Sequence, residues 1–160
     1  MKKLLLVIDV QNDFINENTE PYVSKINDLI NSNEYDVVAF TKYINSKDSL
    51  LYTKLNYKGC LKKEGQEIVI DTKDYKVFEK SIYSSLNNEF KEYISNEKID
   101  EIYLCGFETD ACVFKTALDL FESEYNVYVL KDYCMTHMGK DAHDFFIENL
   151  KRLIGNDSVI

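Results

Sequence analysis

Three residues far apart in the chain, Asp9, Lys80 and Cys112, are of types that could together attack a carbonyl carbon. Cys112 follows Thr109 and Asp110, which can cap a helix whose apolar face (Val113, Ala117, Leu118, Phe121) comes next. A thiol in the first turn of a helix sees the positive end of the dipole, which favours thiolate. Asp9 closes the apolar run Leu4 to Ile8, where a carboxylate costs desolvation energy unless it is paired or functional. It could take a proton from a thiol and return it to a leaving amine. A lysine turned toward the pair would hold Asp9 ionised and support the thiolate. Each residue has a plainer explanation as well: a buried small hydrophobe for Cys112, a turn cap for Asp9, a strand end running into solvent for Lys80. Of the remaining cysteines, Cys105 lies in an apolar strand, and Cys60 and Cys134 fall in polar stretches without a partner. No CxxC spacing occurs, so reduced thiols are expected.

The elements that would position these residues alternate between strand and helix. Leu4 to Ile8, Val37 to Phe40, Lys76 to Glu79, Ile102 to Cys105 and Val127 to Leu130 read as strands, and Gly106 is expected to break the fourth. Helical spacing links Tyr22, Val23, Ile26, Leu29 and Ile30, with Pro21 tolerated in the first turn. It recurs at Leu86, Phe90, Tyr93 and Ile94, and at Ala142, Phe145, Phe146, Leu150 and Leu153. The segment from Lys42 to Gly65 is polar, aromatic and weakly periodic, and is read as mostly loop with one short helix. Glu67 to Ile70 reads as a short extension, and a sixth short strand is placed around Ser158 to Ile160. The alternation implies an α/β fold with a mostly parallel five- or six-stranded sheet and helices on both faces. Ligands bind such sheets beyond the carboxyl ends of the strands. Asp9, Thr41, Lys80 and the stretch from Gly106 to Cys112 all follow strands, so the chemically capable residues fall along one edge.

Three motifs in order resemble a known family. Asp9-Val10-Gln11-Asn12-Asp13-Phe14, Lys80 with its following Ser81 to Leu86, and Gly106-Phe107-Glu108-Thr109-Asp110-Ala111-Cys112-Val113 are similar to segments of the isochorismatase-like cysteine hydrolases, which include nicotinamidases. Asp132 and His143 sit where that family often has such residues. The resemblance implies a doubly wound three-layer fold in one domain over residues 1–160. It also implies catalysis by Asp9, Lys80 and Cys112 through a thioester, with the peptide N–H groups of Glu108 and Cys112 as oxyanion hole. A cis peptide between Phe107 and Glu108 would aim those donors. Phe14 and Phe107 would line the substrate pocket, and Gln11 and Asp13 would support the first loop. Nicotinamidases carry a D-x-H motif and further histidines after strand two, which bind a metal. Here that segment runs Thr41 to Asp48 without a histidine, and the only histidines are His137 and His143. No metal and no other cofactor is therefore expected, and His143 is read as structural. The expected activity is hydrolysis of a small amide or related carbonyl compound.

Two rival readings use the same residues. A haloacid-dehalogenase-like phosphatase would employ Asp9 as nucleophile, with Thr41 and Lys80, but wants an aspartate where Gln11 stands. A binding or redox-sensing protein could retain the scaffold with Cys112 idle or oxidisable. Composition narrows partners further. A formal charge of −9 over 160 residues, with no basic run, disfavours nucleic acid and anionic membrane. Met1-Lys2-Lys3 before the apolar run faintly imitates a signal peptide, but the run is short and Asp9 closes it. The expectation is a cytoplasmic protein acting on a small molecule. The twelve tyrosines, with the family's habits, leave room for a homo-oligomer.

Overall fold

The computed structural model describes residues 1–160. Its centre is a five-stranded, wholly parallel sheet in the order β3-β2-β1-β4-β5, with β1 Lys3–Ile8, β2 Val37–Tyr43, β3 Lys76–Lys80, β4 Glu101–Phe107 and β5 Val127–Met135. Leu4 to Ile8 are all fully buried, which explains their unbroken apolar run: β1 has a strand on each side and a helix layer on each face. Strand alternation splits the run in two. Leu4, Leu6 and Ile8 join a core with Phe90, Ile94, Ala117, Leu120, Ile147 and Leu150, while Leu5 and Val7 face one with Ile26, Leu29 and Ile30. Each fully buried leucine contributes roughly 1.5–3 kcal/mol. Helix α1 (Glu20–Ile30) thus covers one face. Helices α4 (Asn88–Glu97), α5 (Phe114–Glu122) and α6 (Lys140–Ile154) cover the other.

The chain winds outward from β1 through β2 to β3, then crosses back to lay β4 and β5 on the opposite side. The switch in direction falls between β1 and β4, where a crevice opens at the carboxyl ends of the strands. Asp9 follows β1, and the segment leading to Cys112 follows β4.

Several boundaries differ from the sequence expectation. Gly106 does not end β4. It pairs with Ile8 inside the strand at φ 113°, beside a bulge against β5. A Cβ at this position would lie 2.2 Å from the Ile8 carbonyl oxygen, so glycine is what lets β4 pass β1 at the switch. Strand β5 runs on to Met135, placing Cys134 in a buried strand instead of a loop. The expected sixth strand is a single parallel bridge between Val129 and Val159. The segment after β2 holds two short helices, α2 (Leu50–Leu55) and α3 (Lys63–Gln66). The extension at Glu67 to Ile70 is one antiparallel bridge, Gln11 to Ile68. No helix is long and apolar enough to cross a membrane.

Candidate active site

Asp9 leaves β1 with a left-handed backbone (φ 48°), a conformation that short polar residues tolerate. Its side chain is fully buried. Thr41, in β2, donates from Oγ1 to Asp9 Oδ1 at 2.6 Å and accepts the Asp9 N–H at 3.2 Å. Lys80 ends β3 and is also buried, with a side chain 3% exposed. Its Nζ lies 2.7 Å from Asp9 Oδ2 and 3.4 Å from Cys112 Sγ. It also donates to the carbonyls of Ile82 and Tyr83 at 3.0 and 3.1 Å, and sits over the Tyr43 ring. The lysine is therefore enclosed by these five groups and does not run into solvent. Asp9 Oδ2 takes the ion pair but no aligned hydrogen bond, which leaves it lone-pair capacity for a thiol proton.

Cys112 lies in a single π-helical turn, Thr109–Val113, that leads into α5. The Ala111 and Val113 N–H groups both donate to the Glu108 carbonyl at 3.1 Å. Neither Thr109 nor Asp110 caps the helix as expected, because the π turn displaces its start to Phe114. Thr109 Oγ1 instead shares a 2.8 Å hydrogen bond with His143 Nδ1 on α6. His143, buried in that contact, ties α6 to the nucleophile turn, and burial lowers its pKa. The Phe107–Glu108 peptide is cis.

The electrostatics correct one expectation. Burial pushes the Cys112 thiol well above the ordinary cysteine range, and the Asp9 charge adds to this. Lys80 acts in the lowering direction without offsetting them. Burial alone would lower the Lys80 ammonium, but Asp9 and Cys112 more than compensate and its pKa is raised. Aspartate, ammonium and neutral thiol sum to zero charge, whereas a thiolate would leave one buried negative charge uncompensated. The resting group is a thiol beside a base.

Cys112 opens into a cavity of about 230 Å³. Phe14, Tyr43, Tyr57 and Tyr83 supply aromatic walls, and Leu51 and Leu55 of α2 close one side. Glu108, Ala111 and His137 complete it. Phe14 lines the cavity; Phe107 does not, being fully buried in the core on the α1 side of the sheet. Its place on β4 turns it to that face, while the next residue reaches the crevice. Larger and more polar clefts lie elsewhere, including one between α1 and α6 that Asp132 lines.

Sequence reasoning missed Thr41 as the clamp on Asp9 and missed the walls from α2, Tyr43, Tyr57, Tyr83 and His137. The aromatic content of residues 42–65 was the available signal. Gln11 and Asp13 do brace the first loop. Gln11 Nε2 donates to the carbonyls of Tyr43 and Gln66 at 2.9 and 3.0 Å, and its Oε1 accepts the Tyr43 N–H at 2.7 Å. Asp13 Oδ2 accepts the Cys60 N–H at 2.6 Å. In the histidine-free segment after β2, Asn45 Nδ2 donates to the carbonyls of Tyr57 and Gly59 at 2.9 Å. No group of three or more His, Cys, Asp or Glu side chains is placed to hold a metal ion together.

A family model described as an isochorismatase domain matches residues 3–157. Isochorismatase family protein 1A of Dictyostelium discoideum is 29% identical over 146 residues, covering 86% of this chain and 65% of that protein. The chain thus spans just under two-thirds of the length of this curated relative. Among solved structures, an isochorismatase-like hydrolase from Alkaliphilus metalliredigens superposes with a TM-score of 0.87 at 21% identity, covering 99% and 94% of the two chains. A nicotinamidase from Bacillus subtilis superposes with a TM-score of 0.81 at 24% identity, covering 99% of each. At these identities the structural likeness is one of fold.

Proposed function

Because the chain belongs to the isochorismatase domain family, we propose that it is a cysteine hydrolase that cleaves a small amide or related carbonyl C–N bond. The observation that carries this reading is the placement of Lys80 Nζ against both Asp9 and Cys112, with Cys112 opening into an apolar cavity. A binding scaffold has no need to bury an ion pair beside a thiol, since burying charges costs energy that apolar packing does not.

In the proposed reaction, Asp9 takes the Cys112 proton as the sulfur attacks the carbonyl carbon. Proton transfer and attack are coupled, because the isolated thiolate is disfavoured in this site. The carbonyl oxygen becomes an oxyanion, to be met by the peptide N–H groups of Glu108 and Cys112. Asp9 then returns the proton to the leaving nitrogen, the C–N bond breaks, and a thioester remains. Water adds to the thioester, giving its proton to Asp9, and the carboxylic acid departs as Cys112 regains its hydrogen. Lys80 holds the Asp9 carboxyl in place while it takes up and returns each proton. The cavity is smaller than the usual ~300–1,000 Å³ of ligand pockets, which restricts the acyl group to a compact apolar or aromatic unit. The reaction as drawn needs no metal, and dialysis against a chelator should leave turnover unchanged.

The deciding experiment is a screen of small carboxamides, with mass spectrometry for an acyl adduct on Cys112. Turnover with an acyl-enzyme, both lost in Cys112→Ala, is expected. Turnover that persists in Cys112→Ala would overturn the assignment.

A further inference from the structure

Tyr57 forms one wall of the cavity, and Gly59, which does not itself line it, stands behind that ring. Both residues lie at the base of the loop that carries α2. Asn45 Nδ2 donates to the carbonyls of both at 2.9 Å, and the Tyr57 N–H donates to the Leu51 carbonyl at 3.2 Å. The main chain of this wall is therefore fixed, and only the tyrosine side chain is free to turn. Gly59 does not have a positive φ, so its backbone would accept other residues. What a side chain would meet is the ring. A Cβ at position 59 would lie 2.1 Å from the Tyr57 hydroxyl oxygen, 2.5 Å from Cζ and 3.0 Å from Cε1, its three nearest neighbours. Ordinary van der Waals contact begins near 3.4 Å, so the end of the ring would have to retreat by more than 1 Å. Tyr43, with its ring centroid 6.2 Å from that of Tyr57, is 2% exposed and packed in the core, so it does not give way. A ring that turns away from Gly59 moves into the space the acyl group would fill.

We propose that Gly59 is a specificity-determining residue behind the cavity wall: without a side chain, it lets the Tyr57 ring lie back and so admits an acyl group as large as a six-membered ring. With a side chain at this position the site takes short acyl groups in preference. This rests on Cys112 being the nucleophile. In a cavity of about 230 Å³ the loss of one methyl-sized volume is felt strongly, because close-packed walls leave a bound group nowhere else to go. The obstacle to a Cβ is the far end of a side chain and not main chain, so an alanine is accommodated by moving the ring.

Aldehydes of two sizes test this whatever the natural substrate is. The Cys112 S–H adds across the aldehyde C=O: a C–S bond forms, the thiol proton goes to the carbonyl oxygen, and a hemithioacetal results. Dissociation constants for acetaldehyde and benzaldehyde come from protection of Cys112 against iodoacetamide, followed by peptide mapping. Each is normalised to the same aldehyde's addition to mercaptoethanol, and the ratio of the two is the readout. Both aldehydes should add in the unaltered protein. Gly59→Ala should weaken benzaldehyde relative to acetaldehyde by about tenfold or more. In a Tyr57→Ala background no ring remains to be pushed, so adding Gly59→Ala should change the ratio by less than about twofold.

Three results would refute the role of Gly59 and leave the nucleophile standing. One is a ratio that Gly59→Ala leaves unchanged or shifts toward benzaldehyde, the ring having swung out to solvent. Another is a tenfold effect that survives in the Tyr57→Ala background. The third is benzaldehyde failing to add to the unaltered protein where acetaldehyde does. Should Gly59→Ala unfold, the double variant decides: it must fold and match the ratio of Tyr57→Ala, and if it does not, the clash lies elsewhere than at the ring. If neither aldehyde protects Cys112 in the unaltered protein, the nucleophile assignment and this inference fall together.

Discussion

The Thr41 hydroxyl donates to Asp9 Oδ1 at 2.6 Å while accepting the Asp9 N–H, so β2 fixes both the backbone and the carboxylate of the residue that follows β1. One carboxylate oxygen is thereby held by the hydroxyl, and the other is left to Lys80 and the thiol. Thr41→Val, which keeps the shape and removes the hydroxyl, should lower kcat/KM by roughly 10- to 100-fold, the equivalent of one charge-assisted hydrogen bond. Thr41→Ser should retain most activity. Steady-state kinetics on whichever amide the screen yields will decide, and equal activity of Val and Ser variants would dismiss the clamp.

The Lys80–Asp9 pair is buried on both sides, so breaking it strands a charge. Lys80→Met should destabilise the protein by roughly 3–5 kcal/mol in urea denaturation. Adding Asp9→Asn to Lys80→Met should recover part of that loss, because no charge is then left unpaired. Additive losses in the double variant would show that the two groups are not coupled.

The pKa direction at Cys112 gives a signed expectation. A raised pKa means less thiolate at any given pH, so the alkylation profile with iodoacetamide should lie on the alkaline side of an ordinary cysteine, whose value is about 8.5. Asp9 is one of the causes of the rise, and Lys80 opposes it. Asp9→Asn should therefore speed alkylation at neutral pH while abolishing turnover, since the base is gone though the thiolate is easier to form. Peptide mapping separates Cys112 from Cys60, Cys105 and Cys134, all of which are fully buried. Slower alkylation in Asp9→Asn would contradict the electrostatic account.

Gly106 bears on the stability of the strand switch. Gly106→Ala combines a positive φ with a Cβ 2.2 Å from the Ile8 carbonyl oxygen. A loss of about 3 kcal/mol or more should follow, with the β1–β4 junction displaced. Thermal unfolding tests this directly, and a variant as stable as the parent would rule out close approach at the switch.

Much of this was legible in the chain itself. The unbroken apolar run of β1 reflects burial on both faces, and the alternation of apolar runs with helical spacing fixes a parallel sheet. Asp9, Lys80 and Cys112 each follow or end an element, so a parallel sheet alone brings them to one edge. Local pattern could not show that Lys80 is enclosed, because that depends on partners after β1, on β2, in the loop after β3 and in the π turn. Nor could it show the neutral thiol, since helix position and a nearby lysine argue for thiolate until burial and the Asp9 charge are counted. The expectation of Phe107 in the pocket fails because alternate residues on a strand face opposite sides, and Phe107 shares the α1-side face with Cys105. Residue types and order determined the chemistry available to this protein. Distances between strands and burial of the charges were decided only by the tertiary structure, since Coulombic and desolvation energies depend on separation and solvent access, which sequence spacing does not encode.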